Sequence, residues 1–207
     1  MKVACICNMN NNFFALVRHL RDRGIDAELL LTNTEHPHFL PQADTYDLGF
    51  QAYTRHLPWG DLPSWRTINP NAIAEQLAPY DFLIGTHAVP AFVGLAGRRL
   101  DVFNPHGSDL YQHPFERLHL CRHPLDYARF ARAQARGIRN SRAVFLGSNQ
   151  DLAPSLDKLR YKGKVVYRSV PFIHTPTYNH EALEQHADRT HWHHEFRRIR
   201  KEHDIMV

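Results

Sequence analysis

Asp101-Val102-Phe103-Asn104-Pro105-His106-Gly107-Ser108-Asp109-Leu110 is the stretch on which the reading of this chain turns. A short apolar run, Val102 and Phe103, meets Pro105, which cannot donate to a central sheet ladder. Behind it come a titratable ring, a permissive backbone and two hydrogen-bonding side chains in four residues. A strand that ends this way opens into a polar loop, and in open α/β sheets ligands bind outside the carboxyl ends of the strands. The same residue types also make an ordinary turn, so the flanking sequence has to decide between the two.

Working outward, apolar runs alternate with helical patterns. Lys2 to Cys7 reads as a buried strand, followed by the loop Asn8 to Asn12 and a helix with Phe13, Leu16, Val17 and Leu20 on one face. Gly24 stops that helix, and Ala27 to Leu31 is the next strand. Residues 33–70 carry five prolines with Trp59 and Trp65, a long excursion whose aromatics favour an ordered loop that packs or binds. Then follow a helix over Ala72 to Leu77, a strand over Asp81 to Thr86, and a helix over Ala88 to Ala96. Beyond the opening stretch, Leu125 to Gly137 is helical with Gly137 as its stop. Ala143 to Gly147 is a strand, Gln150 to Leu159 a helix, and Lys164 to Tyr167 a strand. The alternation predicts an α/β chain with a mostly parallel sheet covered on both faces. Glu181 to His203 has Trp192, Phe196 and Ile199 at helical spacing, which predicts an amphipathic tail helix over 181–207. Asp204 to Val207 looks like the start of a further strand.

With 207 residues the chain can bury a sizeable core. Three cysteines cannot build a disulfide scaffold, and Cys5 and Cys7, two apart on a strand, are expected on one face as small buried hydrophobes. No apolar run is long enough to span a membrane, and the start lacks a signal-peptide pattern, so a cytoplasmic protein is expected. A net charge of +4 does not choose between phosphate, anionic lipid and acidic substrates. No basic cluster interleaves with aromatics, so nucleic acid is not an expected partner.

His87 ends one inferred strand and His106 follows the next, which places both at the carboxyl edge. There a histidine can act as general base, phosphate-binding cation or hydrogen-bond donor, or it can be a satisfied structural residue. Asp109 can orient an acceptor hydroxyl or His106, or cap a helix. The Asn loop stands where doubly wound folds bind phosphate. Glycine fingerprints for a dinucleotide, a P-loop and a nucleophile elbow are all missing. His191 and His194, one helical turn apart, lack an obvious carboxylate or cysteine partner, so neither a metal nor a cofactor is expected.

Four segments resemble the N-terminal half of GT-B glycosyltransferases of the retaining, family-4-like group. They are the strand, polar loop and helix at 2–23, with asparagines where the family has glycines, and the loop His106-Gly107-Ser108-Asp109-Leu110. The third is Ser141 to Ser148, similar to the family's apolar strand closing on a serine. The last is Val170 to Thr175, with His174 standing where the family has Asp. The resemblance implies a Rossmann-like, doubly wound α/β fold over residues 1–180, a single GT-B N-terminal domain that binds the acceptor, a glycan, lipid or small molecule. His106 and Asp109 would be catalytic, His87, Gly107 and Ser108 acceptor-binding, and Asn10, Asn11 and Asn12 a phosphate-proximal loop. The nucleotide-sugar donor would be held by a further domain beginning near residue 204 or by a separate donor subunit, and the chain alone would turn over little. Two other readings stand beside it. One is a non-catalytic sugar- or nucleotide-binding module. The other is a protein held peripherally at the inner membrane surface through its arginine helices.

Overall fold

The computed structural model describes residues 1–45, 47–115, 124–147, 150–168, 170 and 173–174. Cys121, the tail expected to be helical and the chain end fall outside these residues.

Among the described residues seven strands form one sheet, and every pairing between them is parallel. They are β1 (Lys2–Ile6), β2 (Asp26–Leu31), β3 (Thr54–His56), β4 (Phe82–Gly85), β5 (Val102–Phe103), β6 (Ala143–Phe145) and β7 (Lys164–Val166). Their spatial order is β3-β2-β1-β4-β5-β6-β7. The chain winds outward from β1 to one edge, returns to the other side of β1, and winds outward again. The order reverses between β1 and β4, the place where open α/β sheets leave a crevice at their carboxyl edge.

The strands read as near-continuous apolar runs because both faces are covered. Side-chain alternation sends Ala4, Ile6, Leu30, Leu83, Phe103 and Val144 into one core and Val3, Cys5, Leu29, Leu31, Ile84 and Val102 into the other. Phe13, Phe14 and Val17 of helix α1 (Asn12–Asp22) cover the second face. The helix ends in the paired hydrogen bonds of a Schellman motif, Gly24 N to Arg21 O and Ile25 N to Leu20 O. The first face takes α3 (Pro70–Leu77), α4 (Val89–Leu95), α6 (Pro124–Asn140) and α7 (Ala153–Leu159).

The excursion before β4 packs. Trp59 is fully buried, stacks on Phe92 with centroids 5.0 Å apart, and donates its indole N–H to Gln76. Trp65, on the short helix α2 (Leu62–Thr67), meets Phe92 and Phe130 edge-on. A capping box between Asp61 and Ser64 starts that helix.

Two expectations are corrected. Gly137 does not stop α6, which runs on to Asn140. It is a point of close approach, since a Cβ there would lie 2.1 Å from the carbonyl oxygen of Pro90 in α4. Cys5 and Cys7 do not share a face, because Cys7 lies past the end of β1 and turns at φ 70°, which swings it into the opposite core.

Candidate functional site at the carboxyl edge

The loops after β4 and β5 meet around one carboxylate. Asp109, on the one-turn helix α5 (Ser108–Tyr111), is 2 % exposed. Its oxygens accept from the backbone N–H groups of His87 (3.1 Å), His106 (3.0 Å) and Gly107 (2.8 Å). Three donors from two separate loops therefore converge on one side chain, which fixes the exits of both strands together. Burial pushes the Asp109 carboxyl up to about 6, against the pull of these N–H donors. The sequence left Asp109 several roles. With both oxygens turned to backbone inside the fold, it orders the His106 loop.

Gly107 makes the loop possible. Its φ of 149° with ψ −104° is a conformation open essentially to glycine alone. His87 also turns through a positive φ, 54°. Its imidazole stands edge-on to that of His113, with centroids 5.8 Å apart. Burial lowers His87 to about 4, with the neighbouring His113 adding to the effect. His106 is likewise lowered to about 4 by burial and by His87. Both rings are therefore neutral near pH 7. The amide of Asn104 lies 3.2 Å from His106 Nε2, and an amide nitrogen can only donate, so the ring keeps its proton on Nδ1.

Gln134 was not anticipated. It sits on the buried stripe of α6 among Phe130, Ala131, Ala135 and Ile138, fully buried. Its Nε2 donates to the carbonyls of His87 (2.7 Å) and Asp109 (3.1 Å), while its Oε1 accepts from Ala91 N (3.2 Å). One amide thus ties α4, α5 and the His87 turn together. A polar residue at a core position of a helical stripe was the signal that could have found it.

Across the switch point, the Asn loop is closed. Asn8 is fully buried; its Oδ1 accepts from Phe14 N (2.9 Å), and its amide donates to Asn11 Oδ1 and Phe39 O. Asn11 donates to His38 O (3.2 Å), so the turn Pro37–Phe39 is bonded across the loop. Half-buried Glu35 accepts from Asn8 N (2.8 Å) and from Thr32, and hydrogen-bonds the Cys7 thiol. Burial raises both Glu35 and Cys7, which leaves the thiol protonated and unreactive. Of the three asparagines expected near a phosphate, Asn10 is exposed and Asn11 is half-buried. Asn12 is 1 % exposed in the first turn of α1.

A polar depression of about 680 Å³ opens at the opposite, amino edge, lined by Asp81, Arg98, Arg99, Asp101, Asn140 and Arg142. Its charges are largely committed to structure. Arg98 donates to the carbonyls of Leu77 and Tyr80, and Arg142 pairs with Asp101 at 3.1 Å.

Comparison with known proteins assigns this chain to no family. No family model matches, and no curated protein matches. Among solved structures, a sucrose-phosphate synthase from Thermosynechococcus elongatus is 13 % identical with a TM-score of 0.47. The match covers 89 % of this chain and 95 % of that one. An oxidoreductase from Lactococcus lactis is 12 % identical with a TM-score of 0.37, covering 88 % of this chain and 95 % of that one. Vestitone reductase from alfalfa is 10 % identical with a TM-score of 0.35, covering 70 % of this chain and 56 % of that one. At these scores the likenesses carry no argument about fold or activity. The class defined by the sheet itself is a Rossmann-like α/β domain. Among the described residues, no helix is long and apolar enough to cross a membrane.

Proposed function

We propose that this chain is the acceptor-side domain of a GT-B glycosyltransferase, with the acceptor held at the carboxyl ends of β4 and β5. The observation that supports this is the pair of neutral imidazoles, His87 and His106, fixed at that edge by the Asp109 carboxylate. A neutral imidazole both donates and accepts hydrogen bonds and exerts little Coulombic pull, which suits a hydroxyl-rich, uncharged acceptor better than a phosphate.

In this reading His106 and His87 contact acceptor hydroxyls, with Ser108 and the Gly107 backbone beside them, and Asp109 and Gln134 are positioning residues. The roofed Asn loop leaves Asn10 as the residue that faces donor phosphates. A nucleotide-sugar is supplied by a further domain or a separate subunit, because retaining transfer needs the departing diphosphate held and its charge stabilised.

Saturation-transfer NMR with mono- and disaccharides, UDP-glucose, GDP-mannose and NADH tests this. A sugar should bind the wild type, and His106→Asn should weaken it about tenfold, the loss of one hydrogen bond. Binding of NADH with every sugar silent would overturn the reading. Transfer of sugar from UDP-glucose or GDP-mannose by the purified 207-residue chain would overturn the requirement for a second domain.

A further inference from the structure

We propose that His19, Asp22 and His174 form a site for a divalent transition-metal ion of the zinc class, clamping the far end of the described chain onto α1. His19 and Asp22 lie three apart on α1 and so share a face. His174 arrives from 152 residues further on and places its Nε2 2.6 Å from Asp22 Oδ2. The two imidazoles stand 4.7 Å apart at 60°. One ligand atom from each of the three residues lies within 4.8 Å of the others. His174 is buried and Asp22 exposed, which gives an ion a route in from solvent.

The donor set fits the metal. Two imidazoles and one carboxylate are ordinary zinc ligands, and three protein ligands leave a fourth position open. Ligands at about 2.0–2.1 Å in a tetrahedron stand roughly 3.3 Å apart. The Asp22–His174 pair must therefore open by less than about 1 Å to admit an ion. The carbonyl of Ile173, 3.1 Å from His19 Nε2, is at hand beside the cluster. Softer thiolate donors are absent from the set, and hard cations such as Mg²⁺ do not favour imidazole.

The ion would do structural work. Val170 packs into the second-face core beneath α1, and His174 follows it. A metal held by residues of α1 and by His174 closes a very long loop and fixes where the chain leaves the sheet. Because the unfolded chain offers no such site, binding adds directly to stability.

The metal-free chain should be titrated with Zn²⁺ by calorimetry and with Co²⁺ by visible absorption. We expect one ion per chain at this site, a tetrahedral Co²⁺ spectrum and a zinc-dependent rise in Tm. His19→Ala, Asp22→Asn and His174→Gln should each weaken it on the order of 100-fold. His19 and Asp22 are on the accessible side of α1, so those variants keep the fold, and circular dichroism checks it. The variant with His191, His193 and His194 all changed to Ala should bind as the wild type does. Binding that survives His19→Ala and Asp22→Asn, that is lost with the 191–194 histidines, or that is weaker than about 1 mM would overturn the proposal.

Discussion

At the end of β1, Cys7 turns through a positive φ, and the carboxyl of Glu35 accepts the next N–H in the chain. At the end of β4, His87 turns the same way, and the carboxyl of Asp109 accepts its N–H. The two strands are neighbours across the switch point and leave the sheet by one device, a left-handed residue tied down by a carboxylate from a later loop. What differs is what each turn delivers. On the β1 side it delivers a buried thiol and a buried asparagine, roofed by Pro37–Phe39. On the β4 side it delivers the partly accessible imidazole of His87, which the loop after β5 joins with that of His106. The first half of the edge is closed by its own side chains, and the second is the half proposed above to take the acceptor.

The largest effect should come from removing the carboxylate on the second side. Asp109→Ala leaves the N–H groups of His87, His106 and Gly107 without their acceptor. It should cost roughly 3–4 kcal/mol in denaturant unfolding and abolish sugar binding. Stability unchanged within error would break the comparison at its root.

Next in size is a pH effect. His87 and His106 have folded values near 4 against an ordinary 6.5, so their contribution is fully present above 6.5 and is lost as pH falls through 4. Asp109 runs the other way. Its folded value near 6 stands above the ordinary 3.8, so its contribution is present below 3.8 and is lost as pH rises through 6. Near pH 5 the balance is about one proton, so stability should rise by about 1.4 kcal/mol per pH unit. The His87→Asn, His106→Asn double variant, left with Asp109 alone, should show a fall of similar size in place of that rise, with asparagine tolerating the turn at 87.

Gly107→Ala should cost about 1–3 kcal/mol through backbone conformation, with no steric contribution, since a Cβ there meets nothing nearer than 3.4 Å. Weakened sugar binding should accompany it. The smallest change sharpens the contrast: Glu35→Ala should cost about 1–2 kcal/mol by stranding Asn8 N, yet leave sugar binding intact. Equal loss of binding in Glu35→Ala and Asp109→Ala would mean the two halves form one site.

Strand positions were legible because a two-sided parallel sheet writes itself as apolar runs, and His87 and His106 followed as residues at strand ends. Strand β3 was not legible: Thr54–His56 is short, polar and at the sheet edge, so no burial marks it. Gly137 misled because a helix stop and a close helix crossing ask for the same residue, and only the partner carbonyl of Pro90 tells them apart. Cys7 misled because alternation holds only while φ stays extended. The roof over the Asn loop and the role of Gln134 depend on contacts from distant residues. The His19–Asp22–His174 cluster is the extreme case, since no sequence window holds all three.

The strand order also sets a timetable for synthesis. β1 is central, yet its two partners emerge far apart in time, Val3 pairing with Ala27 on one side and with Phe82 on the other. At roughly 5–20 residues per second, one flank of this apolar strand waits several seconds after the first strand–helix–strand unit can form. During that interval its unpaired edge is a template for any other extended chain. The nascent chain is therefore most vulnerable to association before the residues of β4 appear, and pairing of β4 with β1 closes that window.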